Sequence, residues 1–386
     1  AVYLAGKNFG LRSAADNFSD EELAEAVKHT HSLGKKIYVA VNVIPKNSDL
    51  EGIEQHMGLL NLIQPDAVIV SDPGVLDAAI KHAPSVDIHL STQSNCTNYQ
   101  AARFWYKRGV KRINLARELR LDEITEIIDK SPGDLEFETF VHGAMCMAYS
   151  GRCLLSAYMA GREANTGDCA QSCRWKYSLL EEQRPGEYFP VEEDGRGTYI
   201  LSSADLCLVE HIDKLARAGV NCFKIEGRVK SAYYAAVATS VYRQAIDSCF
   251  KSGAAYAPPK EWLGELEKIS HRRYFPGFLF GNPGARGQLG AVSKYESSYD
   301  FLAIVRSYDA TSSTAVISQK NKFSVGENIE IIRHNGENFR QNIKNIKDME
   351  GNEVEAAPRA GELVMVEFEN PVEEWDIIRR KRGEVL

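Results

Sequence analysis

The stretch Lys36-Ile-Tyr-Val-Ala-Val-Asn-Val43 decides the fold, because a short run of β-branched and aromatic residues predicts a strand. An amphipathic pattern over Leu50–Ile63 follows it and predicts a helix, and the apolar run Ala67–Val70 predicts a second strand. A strand, a helix and a strand in this order indicate two parallel strands joined by a right-handed crossover.

The same alternation continues through the first 250 residues. Further strands are predicted at Ala1–Ala5, Val86–Leu90, Arg112–Ala116, Glu136–Val141 and Cys222–Ile225, and further helices at Asp20–Leu33, Thr97–Arg108, Asp122–Asp129, Asp205–Ala218 and Ser231–Phe250. The total is seven strands, or eight if Tyr199–Leu201 forms a strand or if a strand precedes Ala1. This number favours an α/β fold with a (β/α)8-like barrel over an open doubly wound sheet, whose glycine-rich fingerprint is missing.

Two changes of pattern divide the chain. We expect a barrel domain at residues 1–252 that carries a cysteine-rich insertion at 143–198, followed by a Gly/Pro-rich connector at 253–289. The period then changes to two over residues 290–386, for example in Phe301–Val305 and Leu363–Phe368, with turn residues such as Asn335-Gly336 between the runs. This pattern predicts a small all-β barrel domain.

The composition narrows the functional classes. The 386 residues carry a net charge of −7, which argues against a basic coat for nucleic acid, so any RNA contact must come from local patches. No apolar run approaches the roughly 18 residues that a membrane span needs. Eight cysteines without a secretory leader indicate a reducing compartment. We therefore expect a cytoplasmic protein whose cysteines pack, bind metal or do redox chemistry, with no membrane partner.

Four of the eight cysteines are crowded into 28 residues, and Cys207 is the next in the chain. Thiolates select zinc or iron–sulfur clusters. Structural zinc usually takes two closely spaced cysteine pairs, and only one such pair is present, so the spacing favours a cluster. Zinc and a set of small buried thiols are the alternatives, and Cys96, Cys222 and Cys249 are interpreted as packing residues. The crowded cysteines are Cys146, Cys153, Cys169 and Cys173.

The carboxyl ends of barrel strands supply the other candidate site residues, because active sites of such barrels lie at that rim. Arginine side chains there suit carboxylate or phosphate ligands, with a surface ion pair as the alternative. A histidine there suits a base or a core residue. Hydrolase signatures such as His-Glu-x-x-His, Gly-x-Ser-x-Gly and the P-loop are missing. The strand-end residues are Asn42, Asp72, Thr92, Gln93, Arg117, His142, Glu226 and Arg228.

At the cysteine segment the chain resembles a known family. Residues 138–153, Glu-Thr-Phe-Val-His-Gly-Ala-Met-Cys-Met-Ala-Tyr-Ser-Gly-Arg-Cys, and the later Cys169-Ala-Gln-Ser-Cys173 are similar to the signature of the collagenase-like U32 peptidases. The likeness extends over nearly the whole chain and includes Leu90-Ser-Thr-Gln93, Asn114-Leu-Ala-Arg117 and Phe223-Lys-Ile-Glu-Gly-Arg228. It is strongest to the branch that is implicated in tRNA hydroxylation.

This resemblance implies a tRNA-modifying enzyme that places a hydroxyl on carbon 5 of the wobble uridine and depends on prephenate. It also implies a four-iron–four-sulfur cluster at the barrel mouth, with Cys146, Cys153, Cys169 and Cys207 as ligands and Cys173 competing for the fourth place. Ser172 occupies a position where the family often has proline.

The roles of the strand-end residues follow from that reading. Gln93, His142 and Glu226 would orient the substrate or move protons, and Arg117, Arg228 and Thr92 would bind prephenate, a similar anion or an RNA phosphate. The partners would be the anticodon loop of tRNA, the small anion and a homologous or redox protein. The basic run Arg379-Arg-Lys-Arg382 makes the β domain a candidate tRNA platform, with a dimerisation or packing module as the alternative.

Two other functions stay open. The family's name suggests a collagenase-like protease, perhaps dependent on a metal ion, and a cluster-bearing assembly partner without catalytic activity is the third hypothesis. Family membership fixes a fold more firmly than a reaction, because one barrel serves many chemistries.

Overall fold

The structure, a computed structural model, describes the whole chain except residues 11–16, 146–154, 163–168, 171, 173–192, 195–196, 199–202, 254–255, 284–294, 335 and 384–386. Two compact units divide the chain. The barrel unit comprises residues 1–231, 238–259 and 272–294, and the β unit comprises residues 232–237, 260–271 and 295–386. Cys146, Cys153, Cys173 and the candidate strand Tyr199–Leu201 lie outside the described residues.

The barrel unit is built on parallel strands. Its strands are β1 (Val2–Leu4), β2 (Ile37–Val41), β3 (Ala67–Val70), β4 (Asp87–Leu90), β5 (Val110–Asn114), β6 (Glu136–Ala144), the short pair β7 (Glu193–Asp194) and β8 (Gly197–Thr198), then β9 (Asp205–Cys207), β10 (Cys222–Ile225) and β11 (Tyr274–Phe275). Seven of them pair in parallel in the order β1-β2-β3-β4-β5-β6-β10. These are the seven strands that the sequence predicts, so the α/β barrel arrangement is confirmed.

Helices follow the strands as the pattern predicts. They are α1 (Asp20–Ser32), α2 (Leu50–Ile63), α3 (Pro73–His82), α4 (Tyr99–Tyr106), α5 (Leu121–Asp129), α6 (Leu155–Ala160), α7 (Ile212–Arg217), α8 (Ala232–Ser252) and α9 (Lys260–Leu266). Helix α1 begins with a capping box, in which the Ser19 hydroxyl accepts from the Glu22 amide at 3.2 Å and the Glu22 carboxylate accepts from the Ser19 amide at 2.6 Å. None of the described helices is long and apolar enough to cross a membrane.

Three sequence predictions need correction. Residues 205–218 form β9 and then α7, where one helix is expected, because Asp205 is buried and its carboxylate accepts from the Arg272 amide at 3.1 Å. The predicted connector 253–289 contains α9 and β11. Helix α3 was not expected, although Asp72 caps it and Pro73 stands at its first position, a combination typical of helix starts.

The interior of the barrel holds charged groups as well as apolar ones. The Lys224 ammonium of β10 lies 2.7 Å from the Glu138 carboxylate of β6, and both side chains are buried. Burial alone would raise the pKa of Glu138, but the Lys224 ammonium outweighs it and holds that pKa below its ordinary value. Beside this pair, the His89 ring packs edge-on to the Tyr38 ring at 4.7 Å. The ion pair therefore ties β6 to β10 beneath the mouth.

The β unit is an antiparallel sheet. Its strands are β12 (Tyr299–Asp309), β13 (Thr314–Gln319), β14 (Phe323–Ser324), β15 (Asn328–Ile332), β16 (Phe339–Asn342), β17 (Ile346–Lys347), β18 (Ala356–Ala357), β19 (Leu363–Glu367) and β20 (Ile377–Lys381). Seven strands pair in the order β16-β15-β20-β12-β13-β19-β17, and β14 pairs with β18. The Gln341 amide of β16 donates to the Glu367 carbonyl of β19 at 2.9 Å, which draws distant strands of the sheet together. The predicted small all-β module is confirmed.

The basic run at the end of the β unit is not an open RNA platform. Arg379 is fully buried, and its guanidinium lies 2.9 Å from the carboxylates of both Glu265 and Glu330. Arg380 is buried against Glu327 and Asp300. These arginines hold the β unit together, so the expectation of a tRNA platform at this run is wrong for both.

The buried His89 ring should make the free energy of unfolding depend on pH. Burial and, next, the Arg112 guanidinium lower the pKa of His89 to about 3, so the folded protein keeps the ring neutral where the unfolded chain, with a pKa near 6.5, would protonate it. Its contribution is therefore complete above about pH 6.5 and is lost as the pH falls towards 3, by up to about 1.4 kcal/mol per pH unit. Urea unfolding between pH 4 and pH 7 should show this slope, and His89→Asn should flatten it. An unchanged slope in the variant would contradict the assignment, and His29→Asn on the exposed face of α1 is the control.

Candidate active site at the barrel mouth

Glu226 is held at the mouth by the first and sixth strands. It follows β10, its amide donates to the His142 carbonyl of β6 at 2.9 Å, and its carboxylate accepts from the Tyr3 hydroxyl of β1 at 3.1 Å. The Tyr3 hydroxyl also lies 3.4 Å from the Ile225 carbonyl. The Lys224 ammonium lies 4.5 Å from the centre of the Tyr3 ring. One tyrosine thus connects β1 to β10 and fixes the orientation of the carboxylate.

Arg117 and Arg228 gather around the same tyrosine. Burial and then the Glu226 carboxylate raise the pKa of Tyr3 well above its ordinary value, while both guanidinium groups act in the opposite direction. The Tyr3 hydroxyl therefore stays protonated and donates to Glu226. Arg117 lies over the Phe140 ring at 3.9 Å and donates to the Ala144 carbonyl at 3.0 Å, and Arg228 donates to the Asn17 side chain at 3.0 Å. The predicted carboxylate and both arginines are brought together.

A second group of polar side chains follows β2, β4 and β5. The Asn42 amide donates to the Gln93 side-chain oxygen at 2.6 Å, and the Ser91 hydroxyl donates to the same oxygen at 3.3 Å. Gln93 is 4 % exposed and Asn114 is 3 % exposed. Among the residues described, neither Gln93 Nε2 nor Asn114 Oδ1 has a hydrogen-bond partner. Buried polar atoms are rarely left unsatisfied, so these two atoms are candidates for contact with a polar ligand or a water molecule.

The side chains of Thr92 and Asp72 form structural hydrogen bonds. The Thr92 hydroxyl donates to the Leu115 carbonyl at 3.1 Å and joins the ends of β4 and β5. The Asp72 carboxylate accepts from the Gly74 and Val75 amides and caps α3. Thr92 is buried in this role, and these contacts explain both residues as structural groups.

His142 and Cys207 lie on paired strands. They occupy opposite positions where β6 pairs antiparallel with β9. The buried Tyr242 hydroxyl stands between them, 3.4 Å from His142 Nδ1 and 3.7 Å from the Cys207 sulfur, and it donates to the Val141 carbonyl at 2.6 Å. Burial, and next the Cys207 thiol, raise the pKa of Tyr242 well above its ordinary value. His142 is 1 % exposed, so it supports the rim from within and does not project into solvent.

The described neighbours of the predicted cluster ligands test whether a cluster fits. Cys207 is half-buried on β9, and Ala144, two residues before Cys146, pairs with Asp205 on the same strand. The Ala170 amide, next to Cys169, donates to Ser156 Oγ at 2.9 Å, and Ser156 lies three residues after Cys153. These contacts bring a neighbour of Cys146 to the strand of Cys207 and a neighbour of Cys153 to a neighbour of Cys169. In the described part of the chain, no three His, Cys, Asp or Glu side chains are arranged to hold a metal ion.

Of the three cysteines interpreted from the sequence as packing residues, two are buried thiols and one lies in a charged environment. Cys96 and Cys249 are buried, and burial raises the pKa of Cys96 to about 12. Cys222 differs, because it lies beside the Glu138 carboxylate in the charged interior, and burial followed by that carboxylate raises its pKa to about 12. Neutral thiols of this kind are poor metal ligands.

Three residues escaped the reading of the sequence. Tyr3 belongs to β1 and was seen only as part of a strand, Asn114 stands at the end of β5, and Tyr242 lies on α8, far from the other site residues in the chain. Asn114 could have been found by extending the search for polar strand ends inward by alternation. Nothing in the local sequence of Tyr242 indicates its contact with His142.

The fold and the mouth define an α/β-barrel protein with a separate antiparallel β unit. The sequence profile of peptidase family U32 matches residues 1–289, and that of the U32 C-terminal domain matches residues 297–379. The chain belongs to peptidase family U32.

Three relatives indicate the range of proteins to which the chain is similar. It is 37 % identical to the tRNA hydroxylation protein P1 of Bacillus subtilis, over 98 % of this chain and 89 % of that protein. It is also 37 % identical to the tRNA hydroxylation protein P of Escherichia coli, over 94 % and 88 %, and 38 % identical to an uncharacterized protease of Methanocaldococcus jannaschii, over 97 % and 91 %. Among solved structures, the C-terminal domain of a Geobacillus thermoleovorans U32 peptidase matches 22 % of this chain and 93 % of its own, at 31 % identity and a TM-score of 0.21.

Gly143 predicts how closely the mouth is packed. Its φ is +107°, and a Cβ added there would lie 2.5 Å from the Glu226 carbonyl oxygen. Gly143→Ala should displace the end of β10 and Glu226 with it, and should lower the free energy of unfolding by about 2–5 kcal/mol. Urea unfolding of both proteins measures the difference.

The control for this substitution is Gly58→Ala in α2, where an added Cβ meets nothing within 4 Å. It should stabilise the protein by about 0.5–1 kcal/mol, because alanine favours helix. If Gly143→Ala were as stable as the wild type, the close approach of β6 and β10 at the mouth would be wrong.

Proposed function

We propose that this protein hydroxylates carbon 5 of the wobble uridine in tRNA, in a reaction that uses prephenate and an iron–sulfur cluster at the barrel mouth. The observation that carries the proposal is the pair of unsatisfied buried amide atoms, on Gln93 and Asn114, at the same rim as Cys207 and Glu226. Two relatives whose names state tRNA hydroxylation support the class of reaction and the class of RNA.

The two amide atoms are a donor and an acceptor, the two kinds of group that a uracil edge pairs with. Gln93 Nε2 is a donor and Asn114 Oδ1 is an acceptor, while uracil presents a carbonyl acceptor beside an imino donor. The Asn42 and Ser91 contacts to Gln93 Oε1 fix the amide so that its nitrogen faces away from them. A base can reach this depth only when it is unstacked, which an anticodon loop allows at low cost.

Glu226 is the group placed to move a proton. With water as the oxygen donor, replacement of the C5–H bond by a C5–OH group releases one proton from the ring, one proton from the water and two electrons, which a redox partner must accept. The Glu226 carboxylate is oriented by the Tyr3 hydroxyl, which stays protonated, so Glu226 is the group placed to accept the ring proton. His142, which is buried behind the rim, holds the Glu226 amide through its carbonyl and serves to position the carboxylate.

Arg117 and Arg228 supply the positive charge for an anionic co-substrate. Prephenate carries two carboxylates, and guanidinium groups bind carboxylates through paired hydrogen bonds. Arg117 Nε has no hydrogen-bond partner among the described residues, and the stacking of Arg117 on Phe140 fixes the plane of its guanidinium. This arrangement fits a carboxylate at the mouth beside the base.

The cluster ligands in this proposal are Cys146, Cys153, Cys169 and Cys207, with Cys173 as the alternative fourth ligand. When bound, an iron–sulfur cluster accepts or relays single electrons, which an oxidation of the base requires. A redox or homologous partner protein would then carry the electrons away.

A peptidase is the second candidate, favoured by the relative from Methanocaldococcus jannaschii. Cys207 and His142 are the nucleophile and base that such an enzyme would use, since they occupy paired positions. The Tyr242 hydroxyl, however, separates the two side chains, and His142 is buried. The geometry therefore favours a supporting role for both residues over direct proton transfer between them.

Removal of a cluster ligand tests the cofactor. After anaerobic reconstitution with iron and sulfide, the protein should absorb broadly near 400 nm, a general property of such clusters. Cys146→Ala, Cys169→Ala and Cys207→Ala should each lose this absorbance and the iron, and should abolish 5-hydroxyuridine in the tRNA of a complemented deletion strain.

The matched control is Cys249→Ala, a buried thiol on α8 that should change neither reading. A colourless zinc protein that cleaves peptides would support the peptidase. A protein that holds its cluster but modifies no tRNA would support an assembly partner. Bleaching by Cys249→Ala would overturn the ligand assignment.

Tyr3→Phe and Glu226→Gln test the proton acceptor. Both should lower 5-hydroxyuridine formation at least tenfold while keeping the cluster absorbance, because Glu226→Gln removes the carboxylate and Tyr3→Phe removes the hydroxyl that orients it, and neither touches a thiolate. Tyr256→Phe, which removes a hydroxyl bonded only to the Val209 carbonyl at 2.9 Å, should leave the modification unchanged. Full modification by Glu226→Gln would eliminate Glu226 as the acceptor. Mass spectrometry of digested tRNA gives the measurement.

A further inference from the structure

The segment Ile88–Arg117 is unlike the rest of the chain in its charge. Its 30 residues contain six lysines and arginines and no aspartate or glutamate, whereas the whole chain carries a net charge of −7. The segment spans β4, the turn that holds Gln93, helix α4 and β5. Two of the six cations have other roles. Arg112 forms an ion pair with Glu136 at 2.5 Å, and Arg117 lies at the mouth.

The other four cations face solvent on and just after α4. Together with Phe104 they form what we call the α4 surface, which consists of Arg103, Phe104, Lys107, Arg108 and Lys111. In the described part of the chain, none of the four cations has a carboxylate within 4 Å. Arg103 donates to the Lys130 carbonyl at 2.7 Å, and the Arg108 guanidinium lies 3.6 Å from the centre of the Phe104 ring.

Helix electrostatics explain part of this pattern. Lys107 and Arg108 end α4, and cations near a helix carboxyl terminus interact favourably with the helix dipole. That effect does not explain why Phe104 is 45 % exposed with a guanidinium stacked on its face, nor why acidic residues are missing from all 30 positions. An exposed aromatic ring among uncompensated cations is typical of a surface that binds the backbone and bases of RNA.

The position of α4 fits an RNA that also reaches the mouth. Helix α4 begins five residues after Ser94, the last residue of the turn that holds Gln93 at the rim, and runs back along the outside of the barrel. Its eight residues cover about 12 Å, and the α4 surface occupies the second half of the helix and the residues that follow it, on the flank of the unit away from the mouth. An RNA whose loop enters the mouth has phosphates over that distance on either side of the loop.

The β unit is acidic overall. It carries 14 lysines and arginines against 20 aspartates and glutamates, which gives it −6 of the net charge of −7. In its most basic run, Arg379 and Arg380 form ion pairs with glutamates of the same unit. Phosphate groups would therefore be repelled by the β unit and attracted by the α4 surface.

We propose that the α4 surface binds the phosphate backbone of the tRNA substrate outside the modified loop, with Arg103, Lys107, Arg108 and Lys111 as phosphate contacts and Phe104 as a stacking platform. This inference rests on the proposed function, because it takes tRNA as the substrate that the mouth modifies. It assigns the affinity for RNA to a helix that takes no part in the chemistry.

The experiment is a titration of a fluorescently labelled, unmodified tRNA transcript with the full chain, followed by anisotropy at several salt concentrations. Arg103→Glu combined with Arg108→Glu should raise the Kd at least tenfold and should reduce the slope of log Kd against log salt by about 0.7–0.9 for each phosphate that the variant no longer neutralises. Phe104→Ala should raise the Kd about threefold to tenfold. Lys28→Glu combined with Lys35→Glu, on the exposed side of α1 and beyond its end, is the matched charge control and should stay within about twofold of the wild type.

The possible outcomes separate this inference from the proposed function. If the wild type binds and modifies tRNA but the α4 variants bind equally well, the α4 surface is overturned and the proposed function stands. If the wild type does not bind tRNA at all, both are overturned. Unchanged tRNA binding together with loss of a protein partner would also overturn the inference, in favour of a protein interface. Thermal unfolding checks that the variants fold, and Arg108→Gln, with a smaller expected effect, replaces the double variant if that one does not.

Discussion

The mouth depends on the close approach of β6 and β10 at Gly143. Strand β6 pairs with β10 through residues 138–142, and its last residues turn to pair antiparallel with β9. A side chain at position 143 would collide with the Glu226 backbone, so the missing Cβ allows the two strands to stay together to their ends. Both halves of the site follow from this contact, since β10 leads to Glu226 and Arg228 while β9 carries Cys207.

Beneath that contact, a buried ion pair between β6 and β10 fixes the register in which the two strands pair. The Lys224–Glu138 pair joins β10 to β6 inside the barrel, and the Lys224 ammonium also faces the Tyr3 ring, whose hydroxyl reaches Glu226. A buried ion pair contributes little net stability, because desolvation offsets its attraction, but loss of one partner would leave an uncompensated charge. The pair therefore disfavours any other register of β10, and in this register Glu226 meets Tyr3.

The sequence predicted the repeated strand–helix pattern of the barrel, but it did not predict the individual contacts between residues that are distant in the chain. The seven parallel strands were found because each is a short apolar run between amphipathic helices, and that periodicity is a local property. Strand β9 was read as helix, since its three residues owe their conformation to β6, to β11 and to the Arg272 amide, all distant in the chain. Polar residues at strand ends could be named, but Tyr242 could not, because a long helix gives no sign of which of its residues reaches His142. The basic run at Arg379 misled for the same reason, as its acidic partners lie up to 114 residues away.

The charged residues at the mouth and those of the α4 surface are different residues, so binding of RNA and the reaction at the mouth can use separate groups. The two guanidinium groups at the mouth are fixed by Phe140 and Asn17, and the Glu226 carboxylate offsets one of their two positive charges. A site of this kind binds a small anion in one orientation, but it has little charge to spare for a polyanion. Affinity for RNA depends mainly on the number of phosphates neutralised, and therefore requires cations without carboxylate partners. In the described residues four such cations lie on α4 or within five residues of its end, and α4 is joined to the Gln93 turn by only a few residues, so an RNA held there would keep its loop near the unsatisfied amides of the mouth.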